Sequence, residues 1–330
     1  MAKQTFLITG SMGCIGAWVL RNLVTEMNSG GDVKIVATDL AMDPVRPTLL
    51  LSDDELAQIQ WEKLDVTDLK AVRGLVDKYG VTHLIHLAGL QVPFCRANPS
   101  LGAHVNVVGT VNLFEAARHA GIKSVSYASS LAVLGPTDKY PEQPVVDNVP
   151  LLPETLYGVY KVANEGTAKL YWQDWGVGSV GLRPYIVYGV GRDQGMTSDI
   201  AKAILAATVG KPFHIRFDGQ VALQHANDVA QMFIACARAG HQGAAACNLR
   251  NDVVAVSTFV KMLSDSQPNA AITIEENNPL PFPANLDDSG LRSVLGELPH
   301  TPLPDAIVQD MRQFEALLAK GQINLAQLGS

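Results

Sequence analysis

Short apolar runs recur along the first half of the chain, and most are followed by segments in which apolar residues return every three or four positions. Thr5-Phe6-Leu7-Ile8 precedes a helical pattern over 17–25, Val33 to Asp39 is a β-branched run, and Trp61 to Val66 closes a third run before Leu69, Val72, Leu75 and Val76. Residues 81–89 are a fourth apolar run, ending in small residues. Continuous or alternating apolar runs predict strands, and the 3.6-residue period predicts helices. Val105, Val108, Val111, Leu113, Ala116 and Ala117 predict a long helix over 99–120, interrupted by Gly109, whose cost there calls for a packing or functional reason. Residues 124–128 read as a strand ending at Ser129-Ser130. After a proline-punctuated loop, a second long helix carries Tyr157, Tyr160, Lys161, Glu165 and Leu170. Residues 179–183 predict another strand and 227–240 another helix.

The first strand runs into Thr9-Gly10-Ser11-Met12-Gly13-Cys14-Ile15-Gly16. Gly10 permits a sharp turn, Gly13 a close approach of backbone to a pyrophosphate, and Gly16 tight packing of helix on strand. A plain strand-to-helix turn is the competing reading. About twenty residues on, Asp39 ends the second run, placed to accept hydrogen bonds from a ribose; a turn-capping aspartate is its alternative. Its carboxylate would repel a 2′-phosphate, and Leu40-Ala41-Met42 offers no cation, so NAD is expected over NADP. Arg46 is the nearby residue that would upset this preference. Asp65-Val66 is placed to border an adenine.

This rhythm predicts an α/β fold, a doubly wound parallel sheet of the Rossmann type with its ligand at the carboxyl ends of the strands, where Thr9, Asp39, Asp65, Ala88 and Ser130 fall. We expect residues 1–188, completed by roughly 221–250, to form the NAD-binding domain. Residues 189–220 and 251–330 form a smaller C-terminal substrate-binding lobe, with proline-rich 279–283 and 299–304 as loops over the pocket.

The 330 residues, 47% of them hydrophobic, suffice for both parts. A net charge of −7 without any Lys/Arg run argues against nucleic acid or an anionic membrane and leaves a small-molecule substrate. Cys14, Cys95, Cys236 and Cys247 form no Cys-x-x-Cys pair and read as reduced, buried thiols. Met1-Ala2-Lys3-Gln4 leads straight into a strand without a long apolar leader, so the expected location is cytoplasmic. His83 and His86, three apart on a strand, point to opposite faces, and no metal site is expected.

In the order and spacing of Thr9-Gly10-x-x-Gly13-x-x-Gly16, Asp39, Asp65-Val66, His86-Leu87-Ala88-Gly89, Asn106-Val107-Val108-Gly109-Thr110, Ser129-Ser130, Tyr157-x-x-x-Lys161, Arg183-Pro184 and Val187-Tyr188-Gly189, the chain resembles the extended short-chain dehydrogenase/reductase superfamily, in its epimerase/dehydratase-like branch. The resemblance covers nearly the whole length. It implies that Tyr157 is the acid/base, that Lys161 holds the nicotinamide ribose and lowers the tyrosine pKa, and that Ser130 binds the reacting oxygen, with Asn106 in the same catalytic set. Ser130 is assigned over Ser129 because it lies five residues before Gly135. NAD would be contacted by Gly10, Met12, Gly13, Cys14, Ile15, Gly16, Asp39, Leu40, Asp65, Val66, Leu87, Ala88, Gly89, Tyr157, Lys161, Tyr185 and Val187. The resemblance also implies a homodimer in which the helices bearing Asn106 and Tyr157 form a four-helix bundle; either helix covering the sheet alone is the alternative.

Sugar-nucleotide members of that family carry Arg-Asp-Tyr-(Ile/Val)-His-Val before the Asp-Val of the returning helix. Here Val221-Ala222-Leu223-Gln224 stands instead, ahead of His225 and Asp228-Val229. A diphosphate has no cation at that place, so a small, free, anionic hydroxy compound is the expected substrate. Arg192 is the candidate carboxylate clamp, against the reading that it pairs with Asp193. Gln91, Phe94, Tyr185 and Gln224 are further candidates for the pocket wall, as are Ser130 and Tyr157. A dehydrogenase is favoured over an epimerase with the same triad and over a non-catalytic NAD-binding redox sensor. A dehydratase is disfavoured, because Leu131-Ala132 stands where that chemistry needs an acidic pair.

Overall fold

In a computed structural model describing residues 4–329, seven parallel strands form one sheet. They are β1 (Gln4–Thr9), β2 (Val33–Asp39), β3 (Gln60–Lys63), β4 (His83–His86), β5 (Ser124–Ala128), β6 (Gly178–Arg183) and, entering late at the edge, β10 (Ala244–Asn248). Their order is β10-β6-β5-β4-β1-β2-β3. The chain therefore winds outward from β1 through β2 and β3, then returns to β4 on the other side of β1. Beyond the carboxyl ends of β1 and β4 lies the crevice where such a sheet takes its ligand.

The continuous apolar character of β1 follows from burial on both faces. Phe6 and Ile8 join a core with Trp18, Leu20 and Leu23 from the helix Cys14–Asn28 and Phe233 from the helix Ala226–Arg238. Leu7, on the other face, joins Val72, Phe114, Tyr127 and Tyr171. The predicted long helix runs as α-helix over Pro99–Ala103, a π-helical turn over His104–Val108 and α-helix over Gly109–Ala120. A Cβ on Gly109 would stand 2.7 Å from a Val66 methyl, which is the packing reason for that glycine. The helix Leu156–Trp175 is capped by the Thr155 side chain, which accepts from Gly158 N, and ends at Gly176 with φ +65°.

The remaining strands form two small sheets. β7 (Ile186–Tyr188) and β9 (Gln220–His225) pair in parallel, and β11 (Asp252–Ala255) joins β9 antiparallel; β8 (Phe213–Ile215) pairs with β12 (Ile272–Ile274). In the sheet β11-β9-β7, β7 and β9 fall within the expected NAD-binding domain and β11 within the expected lobe. Of the segment 221–250, only β10 extends the main sheet. Among the described residues no helix is long and apolar enough to cross a membrane. Met1 to Lys3, part of the expected lead into β1, lie outside the described residues.

Candidate active site

The glycine loop turns at Gly10, φ +71°, where a Cβ would stand 2.6 Å from the Ala88 nitrogen; a Cβ on Gly16 would stand 2.3 Å from the Gly10 oxygen. Neither position admits a side chain without moving backbone. The following helix begins after Gly13, and no side chain caps it, so its first N–H groups are available to an anion. A groove of about 300 Å³ runs over this turn, lined by Gly10, Gly13, Cys14, Ile15, Gly16, Asp39, Leu40, Asp65, Val66, Leu87, Ala88 and Gly89. Such a glycine cradle beside a helix N-terminus and a ribose-facing carboxylate fits a dinucleotide. Met12 is buried outside the lining, but its N–H donates to Asp39 Oδ2 at 3.1 Å, while Asp39 Oδ1 accepts from Leu40 N at 2.8 Å. Burial raises the Asp39 pKa against those two N–H bonds. Asp65 Oδ1 accepts from both the N–H and the hydroxyl of Thr67.

Arg46 is engaged by acceptors within the chain. Its Nη1 donates to Met12 O at 3.1 Å, its Nε to Gly191 O and Asp193 Oδ1, and its Nη2 to Asp193 Oδ1 at 2.7 Å. It pins the glycine loop to the loop after β7.

Behind the groove, burial pushes the His86 pKa down to about 3, so the imidazole is neutral. Thr9 Oγ1 lies 2.7 Å from Nδ1 and Thr110 Oγ1 3.1 Å from Nε2, while Thr110 donates to Asn106 O. Thr9 Oγ1 also accepts from Ala88 N. His86 thereby joins the strand end to the π-helical turn. His83 stacks instead on Phe6, in the core of the opposite sheet face.

The groove continues into a second cavity of about 310 Å³, sharing with it Cys14, Ile15, Leu87, Gly89, Gln91, Ala128 and Arg192. Ser130, Tyr157 and Lys161 stand together in its wall, the last two on one face of their helix. The Ser130 hydroxyl near Tyr157 favours its phenolate, yet burial raises the tyrosine pKa overall. Lys161 Nζ donates to Ala128 O at 2.7 Å and lies 5.5 Å from the Tyr157 ring centre. Burial pushes its pKa down to about 8. For Tyr157, desolvation dominates, opposed by the Ser130 hydroxyl and the Arg192 charge. Ser129 also lines this cavity, and its hydroxyl donates to Glu165 Oε1 at 2.6 Å.

Three expected site residues lie elsewhere. Asn106 is fully buried and outside both linings; its Nδ2 donates to Leu90 O at 3.1 Å and Gly102 O at 3.0 Å, while its Oδ1 has no partner and, with Lys161 Nζ, faces Gly89 in the cavity wall. Gln224 is also fully buried, its Oε1 accepting from Tyr185 N and its Nε2 donating to Leu249 O, both at 2.8 Å. Backbone groups, needing partners in the interior, consume the whole amide. Phe94 is 53% exposed on the helix Val92–Ala97 and leaves the wall to Val92 and Pro93.

Tyr185 and Val187 line the substrate cavity, and the Tyr185 hydroxyl is buried without a hydrogen-bond partner. Its ring meets Phe282, which with Leu280 and Pro281 roofs the cavity. Arg192 is not paired with Asp193, which Arg46 holds. Its Nη2 donates to Thr197 Oγ1 at 3.3 Å, and its buried Nε has no partner. Gln91 Oε1 and Arg192 Nη2 converge on Gly195, φ +101°, where a Cβ would stand 2.9 and 3.1 Å from them. The cavity also takes Thr155, Met196 and Thr197, which the sequence reading did not single out. Only the Gly191, Gly195 bracket around Arg192 marked that loop as tightly shaped. Burial raises the Cys14 pKa to about 11, leaving a neutral thiol in the wall.

A family model described as "NAD dependent epimerase/dehydratase family" matches residues 6–249. The chain is 29% identical to a UDP-glucose 4-epimerase of Mycolicibacterium smegmatis, over 93% of this chain and 97% of that protein. It is 34% identical to an uncharacterised protein of Methanocaldococcus jannaschii over 62% of this chain, a match spanning 63% of that relative's length. Among solved structures, an L-threonine dehydrogenase from Clostridium difficile superposes with a TM-score of 0.80 at 20% identity, over 96% of this chain and 99% of that one, a likeness of fold.

Proposed function

The chain belongs to the NAD-dependent epimerase/dehydratase family, and from that premise we propose that it is a dehydrogenase oxidising a hydroxyl of a small free sugar, sugar acid or hydroxy acid. The observation that carries the reading is the charge of the substrate cavity. Besides Lys161, Arg192 is the only cationic side chain among the described residues of its lining. One guanidinium matches one carboxylate. A nucleotide diphosphate brings two phosphates into the same space, and Val221 and Ala222, fully buried in β9, offer them nothing.

Bound NAD would supply the hydride acceptor. Ser130 and Tyr157, which line the same cavity, would receive the substrate hydroxyl between them, and Tyr157 would take its proton in the phenolate form. Lys161 would face the nicotinamide ribose, and the unpartnered Tyr185 hydroxyl would meet a second polar group of the substrate. The competing reading is a sugar epimerase with the same three residues, favoured by the near full-length similarity to a UDP-glucose 4-epimerase. We further propose a cytoplasmic homodimer. Its support is an apolar exposed stripe, with Val108 on one helix and Leu156, Val159 and Leu170 on the other, all at least 39% exposed.

The test is a screen of purified protein with NAD against sugar acids, hydroxy acids, aldoses and UDP-sugars, read by NADH absorbance and product stereochemistry. Net NADH formation with a free acid supports the dehydrogenase. Efficient turnover of UDP-sugars without net NADH overturns it in favour of the epimerase.

A further inference from the structure

Arg183, at the end of β6, is 3% exposed and uses its guanidinium in two directions. Toward the catalytic helix, Nε and Nη2 make a bidentate pair with Glu165, each bond 2.8 Å long. Glu165 follows Lys161 by four residues and Tyr157 by eight, so all three share one helix face. The same carboxylate accepts from Ser129, the immediate neighbour of Ser130. Away from the helix, Nη1 donates to Asp147 O at 2.9 Å and Asn248 Oδ1 at 3.2 Å.

From there the network reaches the roof of the substrate cavity. Asn248 donates through its backbone N to Asp147 Oδ1 at 2.7 Å and through Nδ2 to Val145 O at 3.0 Å. Val145 N donates to Asn285 O, and Asp287 N donates to Val145 O, both at 2.9 Å. Asn285 lies three residues beyond Phe282. An isolated buried ion pair is weak evidence of stabilisation, since desolvation offsets attraction. Here every outward bond of the pair goes either to the serine turn or to Asp147 and Asn248, which lead through Val145 to the root of the roof.

We propose that Glu165 and Arg183 are positioning residues: together they set the Ser129-Ser130 turn relative to Tyr157 and hold the 280–282 roof at a fixed distance from it. The assignment builds on the reading of Ser130, Tyr157 and Lys161 as the reacting group. Neither residue touches the cavity, so neither exchanges protons with substrate. Misplacement of a reacting hydroxyl by about 1 Å costs on the order of a hundredfold in rate.

Three variants test this. Ser129→Ala removes one hydrogen bond to Glu165 with little threat to folding. Glu165→Gln keeps the shape and removes the charge. The double variant Glu165→Leu/Arg183→Met replaces the pair with apolar groups of similar volume, which buried pairs often tolerate. We expect kcat to fall about tenfold in Ser129→Ala and further in the other two, with NADH affinity by fluorescence titration unchanged. Amide hydrogen exchange over 279–287 should quicken at least tenfold in the double variant, while β1 and β2 keep their protection. That exchange experiment needs no substrate, so it can succeed even if the proposed substrate class fails in the screen. A double variant with wild-type kcat and wild-type exchange over 279–287, whatever its melting temperature, would show the pair to be merely structural and overturn the proposal.

Discussion

Arg46 and Asp193 meet at 2.7 Å, and this pair deprives Arg192 of its acidic neighbour in sequence. With Asp193 engaged, the charge of Arg192 is left to the cavity it lines. Arg192→Ala should raise KM for a carboxylate substrate ten- to a hundredfold, as expected for a charged hydrogen bond of about 1.5–3 kcal/mol, and leave neutral analogues within about twofold. Arg46→Ala should also raise KM for acids, by freeing Asp193 to compete for Arg192, and Asp193→Asn in that background should restore it. Unchanged acid KM in Arg192→Ala would remove the carboxylate clamp.

Tyr157→Phe keeps the packing of the ring and removes the proton acceptor. It should bind NAD as wild type does and lose at least a hundredfold in kcat, because acid–base catalysis contributes roughly 10²–10⁴. Undiminished turnover would sink the mechanism. Since burial raises the Tyr157 pKa, the phenolate is scarce at neutral pH, and the oxidation rate should climb with pH into the alkaline range.

Lys161 carries a linked effect on stability. Its pKa is about 8 in the folded chain, against an unfolded value near 10.5, so between these the unfolded state binds more protons. This group's contribution to stability therefore rises as pH rises through that window. Thermal melts at pH 8 and 10 should show a more positive shift in the wild type than in Lys161→Met; equal shifts would contradict it.

Asp39 bears on cofactor choice. Asp39→Ala should weaken NAD binding by about 1.5–3 kcal/mol and narrow the preference over NADP, because the charge that repels a 2′-phosphate is gone while Arg46 stays committed to Asp193. Comparable kcat/KM with NAD and NADP in the wild type would refute the assignment.

The exposed apolar stripe predicts association. Light scattering should report a dimer, and Val108→Glu combined with Val159→Glu should give a folded monomer, since a buried unpaired carboxylate at a helix-to-helix contact is costly. A wild-type monomer at micromolar concentration would exclude the bundle.

What the sequence by itself determined was whatever depends on local backbone and short period. Gly10 and Gly16 stand where a Cβ has no room, and such places announce themselves in sequence because other residues are poorly tolerated there. The alternation of apolar runs and helical spacing made the parallel sheet legible, and a four-residue interval put Tyr157 and Lys161 on one helix face. Tertiary structure alone decided which polar side chains face the cleft. Gln224 and the Nδ2 of Asn106 are spent on backbone groups that need partners in the interior, Asn106 Oδ1 is left buried without one, and Phe94 lies at the surface. Arg46 finds Asp193, and Arg183 finds Glu165, between elements far apart along the chain. Likewise β7, β9 and β11 assemble a sheet across the expected domain division. For the polar side chains the physical reason is shared: a buried polar group takes the partner that folding brings within about 3 Å, and spacing along the chain carries no record of that meeting.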